Sequence, residues 1–399
     1  MANGTARREY GSGSISQRKD NSWTARIKIG YSDDGKPIMK AFYGKSEREV
    51  RKKLNAFKAE LAKGDYTVVR KSDVKSYMTD WLQNTKRNKL KPKSFDRLES
   101  TLKYQVFPYI GDIQLAALNA DDIQHMINSL KDVDGLAYST IKKAYDAVND
   151  CFSTGLIKRT VRVNPALGVE LPVQKQFPSK RIKYYTKDEV RELYKASLAT
   201  YGNGKRIYPL GDAVILDVNT GLRLGELMGL RWEDIDFEER ILCVNNTRVV
   251  VKNRNDNSAD ETAYVTIDQD TAKSDSSIRE MYLNDDAYNA LLRIREYSGN
   301  FQYVFSSEDG KPIIQRNFDR TFRRIATRAG FPKEKIFGFH ALRHTFASIL
   351  FANGEDVKTV SELLGHSDIQ VTYNTYIHLI REQKKRATNR VANFMNETD

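Results

Sequence analysis

Cysteine is nearly missing from this chain: 399 residues hold two, Cys151 and Cys243, far apart and without metal-ligand spacing. That excludes a disulfide framework and predicts a reducing, cytoplasmic setting. No stretch approaches the ~18 consecutive apolar residues of a membrane-spanning helix. The polar N-terminus also lacks the apolar core of a secretion signal, so neither secretion nor membrane insertion is expected. Acidic charge is in deficit, with 52 Asp and Glu against 65 Lys and Arg. The resulting net charge of +13 and pI near 9.4 favour a polyanionic partner over a merely soluble basic protein. Histidine is scarce as well: there are five, and His340, His344, His366 and His378 all fall within residues 339–378.

A chain of this length predicts two or three domains in an α+β arrangement. Trp23, Ala25, Ile27 and Ile29 alternate with Thr24, Arg26 and Lys28, the pattern of a half-buried strand. A turn at residues 32–36 leads to a second strand over 38–43. Ser46-x-x-Glu49 then opens a helix carrying Val50, Leu54, Phe57 and Leu61. Residues 1–66 are expected to form a small three-stranded sheet plus one helix, with a basic strand face able to enter a DNA groove or to be merely solvated. Residues 72–170 carry four apolar stripes at helical spacing, with Asn119 and Ser139 as caps, and predict a helical bundle. Candidate phosphate contacts are Arg26, Lys28 and Lys40 on the sheet and Lys91, Lys93, Lys142 and Lys143 in the bundle. Residues 171–183 read as a linker, and 184–380 as a larger, mainly helical domain with a small antiparallel sheet. Thr186-x-x-Glu189 caps its first helix, two strands are expected over 240–252 and 264–283, and residues 253–261 read as a polar loop insertion. Residues 381–399 form a basic tail with Val391, Phe394 and Met395 as a short apolar stripe, which packs either on a neighbouring protomer or back on its own domain.

The chemistry lies in a set of residues. Arg223 starts a helix after Gly221, with Glu226 three residues on to orient it, and Lys273 sits in a turn between strands. His340, Arg343, His366 and Tyr376 follow. Two arginines supply forked, permanently charged donors for the non-bridging oxygens of a phosphate. Imidazoles beside them can move a proton, a tyrosine hydroxyl can attack phosphorus, and a lysine can protonate the departing oxygen. Each member has a plainer reading. His340 and His344 are spaced like ligands on a metal-binding helix, although no HExxH occurs and Arg343 would face the metal. His344 and His378 read best as packing or surface histidines, and Tyr373 and Tyr376 could both be packing residues.

The segments TGLRLGELMGLRWEDID (220–236), HALRHTFAS (340–348) and LLGHSDIQVTYNTYIH (363–378) resemble the tyrosine recombinase family, which includes phage and conjugative-transposon integrases. The resemblance covers roughly residues 180–380. It implies a site-specific recombinase that integrates and excises a mobile element through a covalent 3′-phosphotyrosyl intermediate, without a cofactor or metal. By that resemblance Arg223 and Arg343 clamp the phosphate and His366 donates to it. His340 accepts the proton of Tyr376, the nucleophile, and Lys273 is the acid for the 5′-oxygen; Tyr373 is the alternative nucleophile. It further implies a core-binding bundle, an N-terminal arm-type DNA-binding domain, and a homotetramer on synapsed double-stranded DNA. An accessory excision or bending protein is a further partner that this reading admits.

Overall fold

A computed structural model of the chain describes residues 13–31, 37–63, 72–174, 182–254, 263–270, 279–298 and 301–396. Lys273, the turn at 32–36, and most of the polar insertion and of the linker lie outside the described residues. So do the side chains of Val391, Phe394 and Met395. The chain divides into two compact units, residues 1–178 and 179–399.

The first unit opens with β1 (Ser14–Gln17), β2 (Trp23–Tyr31) and β3 (Pro37–Gly44), paired antiparallel in the order β1-β2-β3. Helix α1 (Glu47–Lys63) lays Val50, Leu54 and Phe57 on Ala25 and Ile27, as the two periodicities require. Its cap departs slightly from expectation. Ser46 Oγ accepts the Glu49 N–H at 3.3 Å, while the Glu49 carboxylate accepts from the Lys45 N–H at 2.9 Å.

Lys40 corrects the expected DNA-facing set. It is the cross-strand partner of Ile27, and directly paired residues share a sheet face. Its ammonium accordingly lies over the Phe57 ring, 4.3 Å from the centroid, on the helix-covered side of the sheet. Arg26 pairs with Ala41 and Lys28 with Met39, on the opposite face.

The rest of this unit is helical: α2 (Val74–Trp81), α3 (Pro92–Thr101), α4 (Phe107–Ile110), α5 (Ala120–Asp132) and α6 (Tyr138–Ile157). Wide π-type turns at Leu82–Lys86 and Leu102–Val106 extend α2 and join α3 to α4, so four helical rods enclose one apolar core. Asn119 caps α5 as expected, in a reciprocal pair with Asp122. Ser139 does not cap α6. The helix begins at Tyr138, after an Ala137 N-cap that makes no side-chain bond. Some of the cations are engaged locally: Lys142 donates to both carboxylate oxygens of Asp146 at 2.8 and 2.7 Å, and Lys86 pairs with Asp150 at 2.5 Å.

The second unit begins with α7 (Lys187–Ser197), closed at its start by the predicted Thr186–Glu189 capping box. Its axis is α8 (Gly211–Thr220), nearly every residue of which is buried, packed by α7, α10 (Asp285–Tyr297), α11 (Gln315–Arg328) and α12 (Ala341–Asn353). A short α9 (Leu224–Gly229) follows α8. Two longer strands were expected here, and the described residues form shorter ones. β4 (Ile235–Asp236), β5 (Ile241–Val244) and β8 (Arg279–Tyr282) make one antiparallel sheet, while β6 (Asn246–Lys252) and β7 (Tyr264–Asp270) make a separate hairpin. Helices α13 (Val357–Leu364) and α14 (Ile369–Asn396) complete the unit. Among the described residues no helix is long and apolar enough to cross a membrane.

Phe322 lies at the centre of this second core, fully buried and edge-on to both Tyr185 and Phe339. Phe322→Ala should lower the unfolding free energy by about 3–5 kcal/mol. Urea unfolding checks this, and a loss under about 1 kcal/mol would contradict the packing described.

Candidate active site

The site is assembled from the ends of helices. At the end of α8 the chain turns through Gly221, whose φ of 59° is left-handed. A Cβ there would also sit 2.3 Å from Phe346 Cδ1, so glycine is required twice over. The turn delivers Arg223 to the N-cap of α9, the residue just before its first turn. Its backbone N–H donates to Glu226 Oε2 at 2.8 Å and its Nη1 to Glu226 Oε1 at 2.7 Å. Its Nη2 donates to the Gly365 carbonyl at 2.7 Å, and the side chain keeps 39% of its surface in solvent. Glu226 is 4% exposed. Burial alone would raise its carboxyl, but the Arg279 fork and the Arg223 charge overcome this and hold it at about 2.

The second contributor is the end of α13. Gly365, at φ 62°, closes the helix with a paired turn in which His366 N–H reaches Ser361 O at 3.0 Å and Gly365 N–H reaches Glu362 O at 2.9 Å. The last carbonyls of a helix are left without intrahelical donors and carry its partial negative charge. Here each of three goes to a different guanidinium. Arg279 Nε donates to Leu363 O at 2.9 Å, Arg343 Nη2 to Leu364 O at 2.5 Å, and Arg223 Nη2 to Gly365 O.

Arg343, on the first turns of α12, is 3% exposed and donates from Nη1 to Gly221 O at 2.7 Å. Burial and the like charge of Arg223 lower its pKa to about 10, which leaves it cationic at neutral pH. His366 Nε2 lies 3.1 Å from Arg343 Nη2. A guanidinium can only donate, so Nε2 accepts and the ring proton sits on Nδ1, donating to Thr372 Oγ1 at 2.7 Å. In this arrangement His366 Nε2 therefore accepts from Arg343. Burial, and then the surrounding arginines, lower it to about 4.

Tyr376 is 1% exposed and sits in α14 where the helix breaks, at φ −109° and ψ 20°. Its hydroxyl lies 2.8 Å from His344 Nδ1, and its ring packs on Phe351 at 5.5 Å. His344 is thus no bystander, contrary to its sequence reading. His340, expected beside the tyrosine, immediately precedes α12, makes no side-chain capping bond, and sits edge-on to His344 at 4.9 Å. Burial, with His340 and Arg343 nearby, lowers His344 to about 4, while burial raises Tyr376 to about 12 against the pull of Arg343. Burial, then Arg343 and Arg223, also lower His340. The four clustered histidines do not converge: His366 faces Arg343 and Thr372, and His378 stacks on Tyr184 at 6.5 Å. Tyr373 packs against the core.

Arg223, His340, Arg343, His366 and Tyr376 thus lie on elements that meet around one end of α8, while Lys273 is outside the described residues. Sequence reasoning missed Arg279, Thr372 and the partnership of His344. A signal for Arg279 was present. It occupies the inward register of β8, in line with buried Met281 and Leu283, where a lone charge needs a buried partner.

Converging guanidiniums, neutral imidazoles and a buried tyrosine are groups able to carry out phosphodiester chemistry. The phage integrase family pattern matches residues 183–383, and the N-terminal SAM-like domain of phage integrases matches 74–131. A tyrosine recombinase XerC-like protein of Caldanaerobacter subterraneus subsp. tengcongensis is 31% identical over 384 residues, covering 90% of this chain and 93% of the relative. Tyrosine recombinase XerC of Lactobacillus leichmannii is 26% identical over 61% of this chain and 73% of its own length. In fold the chain is similar to the Tn1549 transposon integrase solved with transposon right end DNA (TM-score 0.62, 21% identity, 80% of this chain and 99% of that one). It is also similar to a lambda integrase dimer bound to a COC′ core site (TM-score 0.54, 18% identity, 93% and 96% covered). The chain belongs to the phage integrase family of tyrosine recombinases, enzymes that recombine DNA at specific sites by cleaving and rejoining its strands.

With both pKa values depressed to about 4, His344 and His366 are neutral at pH 6, where an unperturbed imidazole is mostly charged. The unfolded chain then binds more protons than the folded one, so these rings make stability fall as pH drops from about 6.5 towards 4. Imidazole NMR signals at pH 6 should report two neutral rings assignable by His344→Asn and His366→Asn. Ordinary titration of both near pH 6.5 would contradict the burial described.

Proposed function

We propose that this recombinase integrates and excises a mobile element, with Tyr376 as nucleophile. The observation that carries the assignment is the Tyr376 hydroxyl in contact with an imidazole on the same helix as the buried Arg343. Tyr376 Oη attacks the scissile phosphorus, the bond to the 5′-oxygen breaks, and a 3′-phosphotyrosyl link forms. The freed 5′-oxygen takes a proton, for which Lys273 is the candidate donor by family resemblance. A 5′-hydroxyl from the partner duplex then attacks the link and returns the proton to Tyr376. One ester replaces another at each step, so no external energy source is required.

Arg223 and Arg343 hold the non-bridging oxygens and neutralise the charge that grows on them. A tyrosine near 12 beside an imidazole near 4 does not ionise in advance. Its proton leaves as the O–P bond forms, passing to His344, with His340 next in line at the solvent edge. The diester's negative charge favours protonation of His366, which converts Nε2 into a donor to phosphate. Because the Tyr376 hydroxyl is buried, attack requires the chain around it to shift, and the helical break at Tyr376 is where α14 can bend.

Four protomers on synapsed duplexes fit an exchange in which strands are cut in turn. The relatives in this fold include a lambda integrase tetramer bound to a Holliday junction. The bundle with Lys91, Lys93, Lys142 and Lys143 is proposed to bind core sites and the N-terminal sheet with Arg26 and Lys28 to bind arm sites, in the cytoplasm; an accessory bending or excision protein completes the assembly.

Nicked suicide DNA tests the chemistry. Wild-type protein should form a covalent adduct in EDTA, and Tyr376→Phe should bind equally and form none. Adduct from Tyr376→Phe, or its abolition by EDTA, would sink the assignment. His344→Asn should slow adduct formation by about 10²-fold or more, within the range for losing a general base. A wild-type rate for His344→Asn beside a crippled His340→Asn would return the acceptor role to His340.

A further inference from the structure

Arg223 is anchored at two points, the Glu226 carboxylate and the Gly365 carbonyl. Arg279 touches both anchors. Its Nη1 and Nη2 donate to Glu226 Oε1 and Oε2 at 3.2 and 2.7 Å, a two-pronged pair between side chains 7% and 3% exposed. Glu226 thereby accepts four hydrogen bonds, two from Arg279 and two from Arg223. On the other side, Arg279 Nε holds the Leu363 carbonyl, two residues before the Gly365 carbonyl that Arg223 uses. The Arg279 guanidinium also packs so closely on Gly365 that a Cβ there would come within 2.7 Å of Nη1.

Resting on the phosphodiester reading above, we propose that Arg279 is a positioning residue for Arg223. It fixes the carboxylate and the helix end between which the phosphate-clamping guanidinium is aimed, without itself touching DNA. Arginine is required for this because a lysine offers one point of charge and no planar fork. Without Arg279, Glu226 relies on Arg223 alone to balance its buried charge. That draws the clamp towards the carboxylate and leaves the Leu363 carbonyl without its donor. The effect falls on the chemical step, since small misplacements of a group acting in the transition state cost rate more than binding.

The test compares wild type, Arg279→Lys and Arg279→Met on suicide DNA carrying either an ordinary scissile phosphate or a methylphosphonate, in which a methyl group replaces one non-bridging oxygen. Both variants should bind DNA like wild type and form the Tyr376 adduct about 10²-fold more slowly on the ordinary phosphate. On the neutral methylphosphonate, which asks less of an arginine clamp, the deficit should shrink by about tenfold or more. In an Arg223→Lys background the Arg279 substitutions should add little, because both act through one group.

Should Arg279→Met fail to fold, Arg279→Lys, which keeps a charge beside Glu226, carries the same comparison. Wild-type rates in the variants would overturn the proposal. So would a deficit that is equal on both substrates and additive with Arg223→Lys, as a merely structural role predicts. If wild-type protein itself forms no adduct, the phosphodiester reading fails instead.

Discussion

Arg343 carries a full positive charge where almost no water reaches it, and much of the site is arranged around that fact. A buried charge is tolerated only when hydrogen-bonding groups replace its hydration. Two backbone carbonyls do so, one at the Gly221 turn and one at the end of α13. Using carbonyls has a consequence that a carboxylate partner would not. They satisfy donors without cancelling the charge. The same charge pulls on the neighbouring tyrosine and helps keep His340, His344 and His366 neutral.

The end of α13 is the shared scaffold. Three consecutive carbonyls are each taken by a different arginine, from α12, from the start of α9 and from β8. Residues far apart in sequence are thereby tied to one helical turn, and the left-handed Gly365 makes that turn tight enough to place His366 immediately beyond it. Helix-end carbonyls suit this use because they are unclaimed within the helix and carry its partial negative charge. Disturbing any one of the three arginines disturbs the surface on which the other two rest.

Much of this was legible in the sequence. Strand alternation located the N-terminal sheet, helical stripes located the bundle, and the capping signals at Asn119 and Thr186 marked real helix starts. The arginines and His366 stood out because charge was concentrated in apolar helical stretches. What was not legible depended on direction in space. Lys40 read as an outward cation until its pairing with Ile27 turned it towards Phe57. His344 read as filler, because spacing along α12 does not reveal that a kinked helix brings Tyr376 to its Nδ1. Arg279 needed its strand register before its inward position meant anything. The tautomer of His366 follows only from its having an obligate donor as partner.

Tyr376 is proposed as the residue that becomes linked to DNA, and mass spectrometry of the trapped adduct tests this. Tyr373 and Tyr376 fall on one tryptic peptide, residues 359–381, so fragmentation must place the nucleotide remnant between them. The remnant is expected on Tyr376, the tyrosine buried against His344. Finding it on Tyr373, or on a residue outside this peptide, would rule out Tyr376 as the nucleophile.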